Sequence, residues 1–392
     1  MYWRLSGFYF FYFAALGALI PYWGLYLQSL GFGPVEIGEL VAVIMATKIV
    51  APNVWGWIAD HTGRRMVIVR GACLFAALAF AGVFFGHGYW WLALVMSLFS
   101  FFWNAALPQF EATTLNHLGD ETHRYSSIRL WGSIGFIVAV TGLGMLFDRA
   151  GTASLPAVLL VLFTGIWLSS LTVPESAAAH QPFDHEPLRQ VLARPAVLSL
   201  LLVCFLIQAS HGPYYTFYSL FLAAHGYSET AIGQLWALGV VAEIGVFLRM
   251  HRWLPRFGAR RLLLVATALT ALRWLLTAWL VDEPWVMVFA QTLHAASFGV
   301  YHAVAIHLVH RLFTGRHQGR GQALYSSLSF GAGGALGSFA AGYLWDGVGA
   351  EWMYTAAAAT AALAGLIAWR GIEPESPATK KTKRPTTKRR AA

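Results

Sequence analysis

Five charged residues sit within or at the margins of long apolar stretches of this 392-residue sequence. Lys48, Glu243 and Arg273 lie about midway along theirs, Glu111 a turn or so inside the end of another, and Arg129 at the start of the next. An ionisable side chain near a bilayer centre costs roughly 3 kcal/mol even on lenient insertion scales, so such residues line a cavity or find a partner. A carboxylate beside a guanidinium keeps its charge; moved alone into a closed apolar cavity, it takes up a proton. A Glu243–Arg273 contact that alternately forms and breaks would therefore load and unload a proton, whereas a permanent contact is a structural bridge. Lys48 has two readings as well: it binds a carboxylate on a solute, or it pairs with an acid such as Glu243.

Gln291, His294, Phe298 and His302 are spaced three, four and four, which puts them on one helical face. A polar stripe on an apolar helix faces a cavity, or else makes hydrogen bonds between helices. His302, with an ordinary pKa near 6.5, is a proton carrier close to neutral pH. Tyr22 with Tyr26, and Tyr214 with Tyr218, are one turn apart and suited to stack on an aromatic or sugar ring; membrane-interface belts are the plainer account. Asn104 and Gln208 are uncharged cavity candidates. His307 and His310 have no acid or Cys beside them, so neither a metal site nor a cofactor is expected.

The elements that must position these residues are apolar helices. Hydrophobic residues make up 57% of the chain and charged ones only 11%, less than half the roughly 25% of a soluble domain. Unbroken apolar runs exclude a β-barrel, whose strands alternate about every second residue. Twelve segments are read, at about 5–30, 35–58, 66–86, 89–115, 127–147, 154–173, 196–224, 229–250, 261–281, 284–312, 322–345 and 350–369. The first is too long for a signal-peptide core and reads as a retained helix. Segment 174–195 carries Pro174, Pro182, Pro187 and Pro195 and separates six helices from six. The expected organisation is a bundle over 1–173, a cytoplasmic linker over 174–195, a second bundle over 196–370, and a basic disordered tail over 371–392.

Numbering the connections alternately puts Arg4, Arg64, Arg65, Arg124, Arg256, Arg260, Arg261, Arg311, Arg320 and the tail on one side, and Arg149 with no other Lys or Arg on the opposite one. By the positive-inside rule both termini are cytoplasmic. The net charge of +9 thus belongs to loops and tail, and no nucleic-acid partner is implied. The halves also repeat: a shift of 195 aligns Gly31 with Gly226, Gly63 with Gly258, Arg65 with Arg260 and Lys48 with Glu243. Parallel six-helix repeats recur in transporters, with a site at their interface near mid-membrane.

The loop Gly56-Trp57-Ile58-Ala59-Asp60-His61-Thr62-Gly63-Arg64-Arg65 resembles the signature loop of the major facilitator superfamily. Its diluted echo, Pro255-Arg256-Phe257-Gly258-Ala259-Arg260-Arg261, lacks the acid. Arg129-Leu130-Trp131-Gly132-Ser133-Ile134-Gly135-Phe136, Leu293-His294-Ala295-Ala296-Ser297-Phe298-Gly299 and Gln318 to Ser327 resemble the permeases grouped around 3-phenylpropionate uptake, relatives of lactose permease and nucleoside–proton symporters. That resemblance implies substrate binding by Glu111 and Arg129, and proton handling by Glu243, Arg273 and His294 or His302. It also implies that Asp60, with Gly56, Gly63, Arg64 and Arg65, forms a conformational-switch loop. Helix ten departs from lactose permease in having no acid past Glu283 at its mouth. Helix five has no proline, so the motif of drug–proton antiporters is absent.

The expected protein is an all-α polytopic membrane protein of the inner membrane, a monomer of twelve transmembrane helices in two parallel repeats. It is read as a proton symporter of a small organic solute, such as an aromatic carboxylate held by Lys48 or Arg129, with Asn104, Gln291 and His294 also lining the site. A sugar or nucleoside symporter is the alternative, and a non-transporting receptor a weaker one. No catalytic constellation or nucleotide loop points to an enzyme.

Overall fold

The computed structural model describes residues 1–175, 188–313 and 317–374, without the side chains of Asp60, Thr122, Leu188, Arg189, His317 and Gln318. The first half forms α1 (Tyr2–Ser29), α2 (Pro34–Thr62), α3 (Arg65–Phe80), α4 (Tyr89–Leu118), α5 (Tyr125–Ala150) and α6 (Leu155–Leu171). After a five-residue helix, Leu188–Leu192, inside the expected linker come α7 (Pro195–Ala224), α8 (Glu229–Phe257) and α9 (Ala259–Trp279). Then α10 (Pro284–Leu312) and α11 (317–348) are each interrupted by a π turn, at Ala295–Val300 and Ser327–Gly333, before α12 (Ala350–Gly371). No strand occurs among the described residues. Ten of these helices are long and apolar enough to cross a membrane, and α2 and α11 pack among them. The chain is an all-α integral membrane protein.

The helix ends follow local chemistry. Pro34, Pro195 and Pro284 stand in first turns, where the missing N–H costs nothing. The Gly33 N–H donates to Glu36 Oε2 at 2.9 Å, and the Ala231 N–H to Ser228 Oγ at 3.2 Å, each satisfying a donor near a helix start. Pro21, Pro52, Pro108 and Pro213 lie inside helices, as membrane spans tolerate because neighbouring helices satisfy the freed carbonyls.

Within the first half α1 packs on α5 and α6, α3 on α4 and α6, and α2 on α4; within the second, α12 packs on α7 and α9, and α11 on α7. The halves join chiefly through α2 with α11, α5 with α8, and α1 with α7. At the face where α1 ends and α2 begins these pairs are locked. Asp148 at the end of α5 accepts from the N–H groups of Glu229 and Thr230 at the start of α8, at 2.7 and 3.2 Å. Glu39 of α2 accepts from Tyr89 at 2.6 Å and from Tyr343 of α11 at 2.7 Å. Tyr22 of α1 donates to the Val140 carbonyl at 2.6 Å. A Cβ on Gly233 would lie 2.2 Å from that carbonyl, so only glycine permits the α5–α8 crossing. Gly233→Leu is expected to pry this face open, read as faster maleimide labelling of Thr216→Cys on a background lacking Cys73 and Cys204. Unchanged labelling would show that the crossing does not hold the face shut.

Candidate functional site

Between the halves lies a cavity lined by α1, α2, α4 and α7, with Leu16, Ile20, Val41, Ile44 and Met45 making much of its wall. Its aromatic members are Trp23, Trp103 and Tyr215, and its one cation is Lys48. Among the described residues Lys48 Nζ donates only to Met45 Sδ of its own helix, at 3.4 Å, and no carboxylate pairs with it. The expected alternative pairing with Glu243 is therefore not what the structure adopts. The indole N–H groups of Trp23 and Trp103 are also buried without an acceptor. The cavity, about 20 Å³ in this state, thus sets a cation without a carboxylate partner, and two indoles whose N–H groups lack acceptors, in an apolar and aromatic wall.

The aromatic residues were expected one position away. Tyr22 serves the closed face, Tyr214 packs face-on beneath Arg273 with the guanidinium 4.2 Å from its ring centre, and Tyr218 and Tyr26 are buried. Each residue turns about 100° around a helix, so Trp23 and Tyr215 face the cavity where their neighbours do not. Asn104 donates to Thr47 Oγ1 at 2.9 Å, and Thr47 to Ser100 at 2.9 Å; these bonds tie α4 to α2 one residue before Lys48. Asn104 positions the cavity wall and does not line it.

A polar cluster fills the second half. Arg273 is fully buried; its Nη2 donates to Gln291 Oε1 at 2.5 Å, and its Nη1 reaches Ser297 Oγ at 3.0 Å and His294 Nδ1 at 3.1 Å. Gln291 also donates to the Leu235 carbonyl at 3.2 Å. A guanidinium only donates, so Nδ1 of His294 carries the lone pair and Nε2 the hydrogen. That Nε2 faces Glu243 Oε2 at 3.5 Å. The expected Glu243–Arg273 contact is consequently indirect: His294 stands between carboxylate and guanidinium. Glu243 packs against the π turn at Gly299, where an added Cβ would lie 3.3 Å from its Cγ. One turn on, His302 Nδ1 lies 2.8 Å from the Tyr325 hydroxyl, and Phe298 stacks between the rings of His294 and His302, 5.6 Å from each. Arg273→Met would leave two buried polar atoms, Gln291 Oε1 and His294 Nδ1, unpartnered at about 1–3 kcal/mol each, while Ser297 keeps its bond to the His294 carbonyl. The expected result is a large drop in the thermal unfolding midpoint; a midpoint within a degree or two of the parent would show that the cluster repacks freely.

Glu111 and Arg129, on neighbouring helices, meet with 3.9 Å between Oε1 and Nε and side chains 36% and 32% exposed. Tyr125 donates to Glu111 at 3.3 Å, and the guanidinium lies 3.8 Å from the Phe13 ring centre.

Residues 2–356 match the model of the MFS_1 like family. The probable 3-phenylpropionic acid transporter of Escherichia coli (strain K12) is 31% identical over 87% of this chain and 90% of that protein. The chain belongs to this family. The maltose permease of Geobacillus stearothermophilus is 29% identical over 88% of the chain and 89% of its own length. The fold matches the crystal structure of the nucleoside transporter NupG with a TM-score of 0.79 at 15% identity, over 95% of this chain and 99% of that one. The chain is a major facilitator transporter of small solutes, not an enzyme.

In this transporter the signature loop closes α2 with Gly63 at φ +66°, a left-handed conformation that glycine adopts without a Cβ clash. The echo turns likewise on Gly258, at φ +77°. Gly56 faces Gln109 of α4, where an added Cβ would lie 3.7 Å from Nε2. Arg64 is exposed and Arg65 half-buried; the side chain of Asp60, the expected switch residue, lies outside the described residues. The residues that sequence reasoning missed are His211 of α7, which is fully buried, and the indoles of Trp23 and Trp103. The helical spacing of 208, 211 and 215 was the available signal for His211.

Proposed function

We propose that this transporter imports a small aromatic carboxylate by proton symport, working as a monomer in the inner membrane with both termini cytoplasmic. One observation carries the substrate class: an ammonium with no carboxylate partner among the described residues and two indoles whose N–H groups lack acceptors line an aromatic cavity between the halves. A substrate carboxylate supplies the missing counter-charge and acceptors. The 31% identity to a probable 3-phenylpropionic acid transporter favours the same chemistry. With the basic loops inside, the locked face is the outer one, and the partly exposed Glu111–Arg129 pair lies toward the cytoplasm. The structure is then one closed on its outer side.

The proton path in this reading runs through Glu243, with His294, Arg273 and His302 as its setting. Glu111 and Arg129 guide substrate at the cytoplasmic mouth. Gly56, Asp60, Gly63, Arg64 and Arg65 form the switch loop. The basic tail contacts anionic lipid. The test is uptake of labelled 3-phenylpropionate into proteoliposomes with and without an inward proton gradient. Accumulation that collapses with a protonophore, above entry into empty liposomes, supports both parts. No flux above empty liposomes discards the carboxylate, and maltose and uridine become the next substrates to try, since a maltose permease is 29% identical.

A further inference from the structure

Helix α7 carries a group of polar atoms that the cavity and the Arg273 cluster leave unused. Gln208 and His211 are both 0% exposed, and the two amide atoms of Gln208 and Nε2 of His211 have no hydrogen-bond partner. Unpaired polar groups at such depth are costly, and a native interior keeps them only where something else satisfies them. Their position points to what that is. Gln208, His211 and Tyr215 are spaced three and four, hence on one face of α7, and Tyr215 is the α7 residue that lines the Lys48 cavity. The His211 ring stacks on Tyr215, with centroids 5.8 Å apart and planes at 30°. On the α11 side, a Cβ on Gly333 would lie 3.3 Å from Gln208 Cβ, and one on Gly334 would lie 3.7 Å from Met45, which lines the same cavity. Gln208 and His211 therefore sit directly behind the cavity wall that Tyr215 and Met45 form, on the side of the second half.

The chemistry of the group discriminates between ligands. His211 Nδ1 lies 2.8 Å from the Ile207 carbonyl. A carbonyl only accepts, so Nδ1 carries the hydrogen and Nε2 of the neutral ring presents a lone pair. Gln208 adds one acceptor and an NH2 donor. A carboxylate, which only accepts, cannot satisfy Nε2; a hydroxyl both donates and accepts, and can meet His211 and Gln208 together. We infer that Gln208 and His211 form a hydroxyl-binding subsite, so that the transported aromatic acid carries a hydroxyl on its ring, remote from the carboxylate. The inference rests on the reading of the Lys48 cavity as a carboxylate site, and it places a mixed donor–acceptor group behind that cavity's Tyr215 wall.

The test is ligand-induced thermal stabilisation of the purified full-length transporter. A thiol-reactive dye reports unfolding through Cys73 and Cys204, both buried in the folded protein. The probes are 3-phenylpropionate, 3-(4-hydroxyphenyl)propionate, the two corresponding propanols, and maltose. The expected result is an affinity advantage of about tenfold or more for the hydroxylated acid, the effect of one satisfied buried group. That advantage should fall below about twofold in Gln208→Leu and in His211→Phe; should the latter fail to fold, Gln208→Leu carries the test. No advantage in the parent, or one that survives the variants, overturns the subsite and assigns these atoms to internal water only. A hydroxyl advantage between the propanols, with acids no better than propanols, keeps the subsite and sinks the carboxylate reading. Stabilisation by maltose alone, lost in the same variants, places a sugar hydroxyl there and overturns the aromatic assignment. No stabilisation by any probe overturns both readings.

Discussion

Lys48→Gln is expected to lower 3-phenylpropionate uptake by roughly 30-fold or more, because truncating one partner of a desolvated, hydrogen-bonded charge pair costs about 2–5 kcal/mol. The substitution is clean in this fold. Lys48 Nζ touches Met45 Sδ and no acid among the described residues, so glutamine removes the charge without stranding a carboxylate elsewhere. The indoles refine the test. Trp23→Phe and Trp103→Phe keep an aromatic wall and remove one N–H each, and each is expected to weaken uptake by about five- to tenfold, the effect of a single buried donor. Initial rates in proteoliposomes at several substrate concentrations check all three. An anion importer loses most of its transport in Lys48→Gln. A transporter of neutral sugars or nucleosides keeps it, and an unchanged rate for Lys48→Gln would remove the carboxylate from consideration.

Why Lys48 was legible and its surroundings were not is a matter of scale. Apolar runs long enough to span a bilayer announce helices by length alone, and α10 was placed at its observed limits, 284 and 312. Helical spacing correctly grouped Gln291, His294 and Phe298 on one face of α10. The π turn over Ala295–Val300 has no such signature, and Ser297, three residues past His294, also reaches Arg273. Partner choice was harder still. Glu243 and Arg273 are opposite charges on adjacent helices, and sequence gives no means of seeing that His294 fills the space between them. His211 escaped because one histidine in an apolar run usually reads as a satisfied core residue, and only the unpartnered Nε2 shows otherwise. The same one-residue blindness chose Tyr22 over Trp23 and Tyr214 over Tyr215.

The interposed His294 sharpens the expectation for Glu243→Gln: exchange of labelled for unlabelled substrate at equal concentrations continues, while gradient-driven accumulation falls by at least about tenfold, as expected for loss of a positioned proton-transfer group. Arg273 holds the Nδ1 lone pair of His294, so the ring presents Nε2–H to Glu243 and cannot take a proton there while that contact lasts. The carboxylate is then the group free to bind and release a proton as the halves move, and His294 acts by orienting it. Glutamine keeps the shape and an acceptor oxygen for Nε2–H, which preserves packing against Gly299, but it cannot titrate. His294→Asn, by contrast, frees Glu243 to approach Arg273 directly and is expected to lock the pair charged, lowering accumulation and exchange together. His302 is the rival carrier, but its Nδ1 is held by Tyr325 and it stands on the far side of Phe298 from His294. His302→Asn should leave the ratio of accumulation to exchange near that of the parent. If His302→Asn abolishes accumulation and Glu243→Gln does not, the proton travels by the histidine. If Glu243→Gln loses exchange and accumulation equally, the Glu243–His294–Arg273 chain is a structural bridge and the coupling group lies elsewhere.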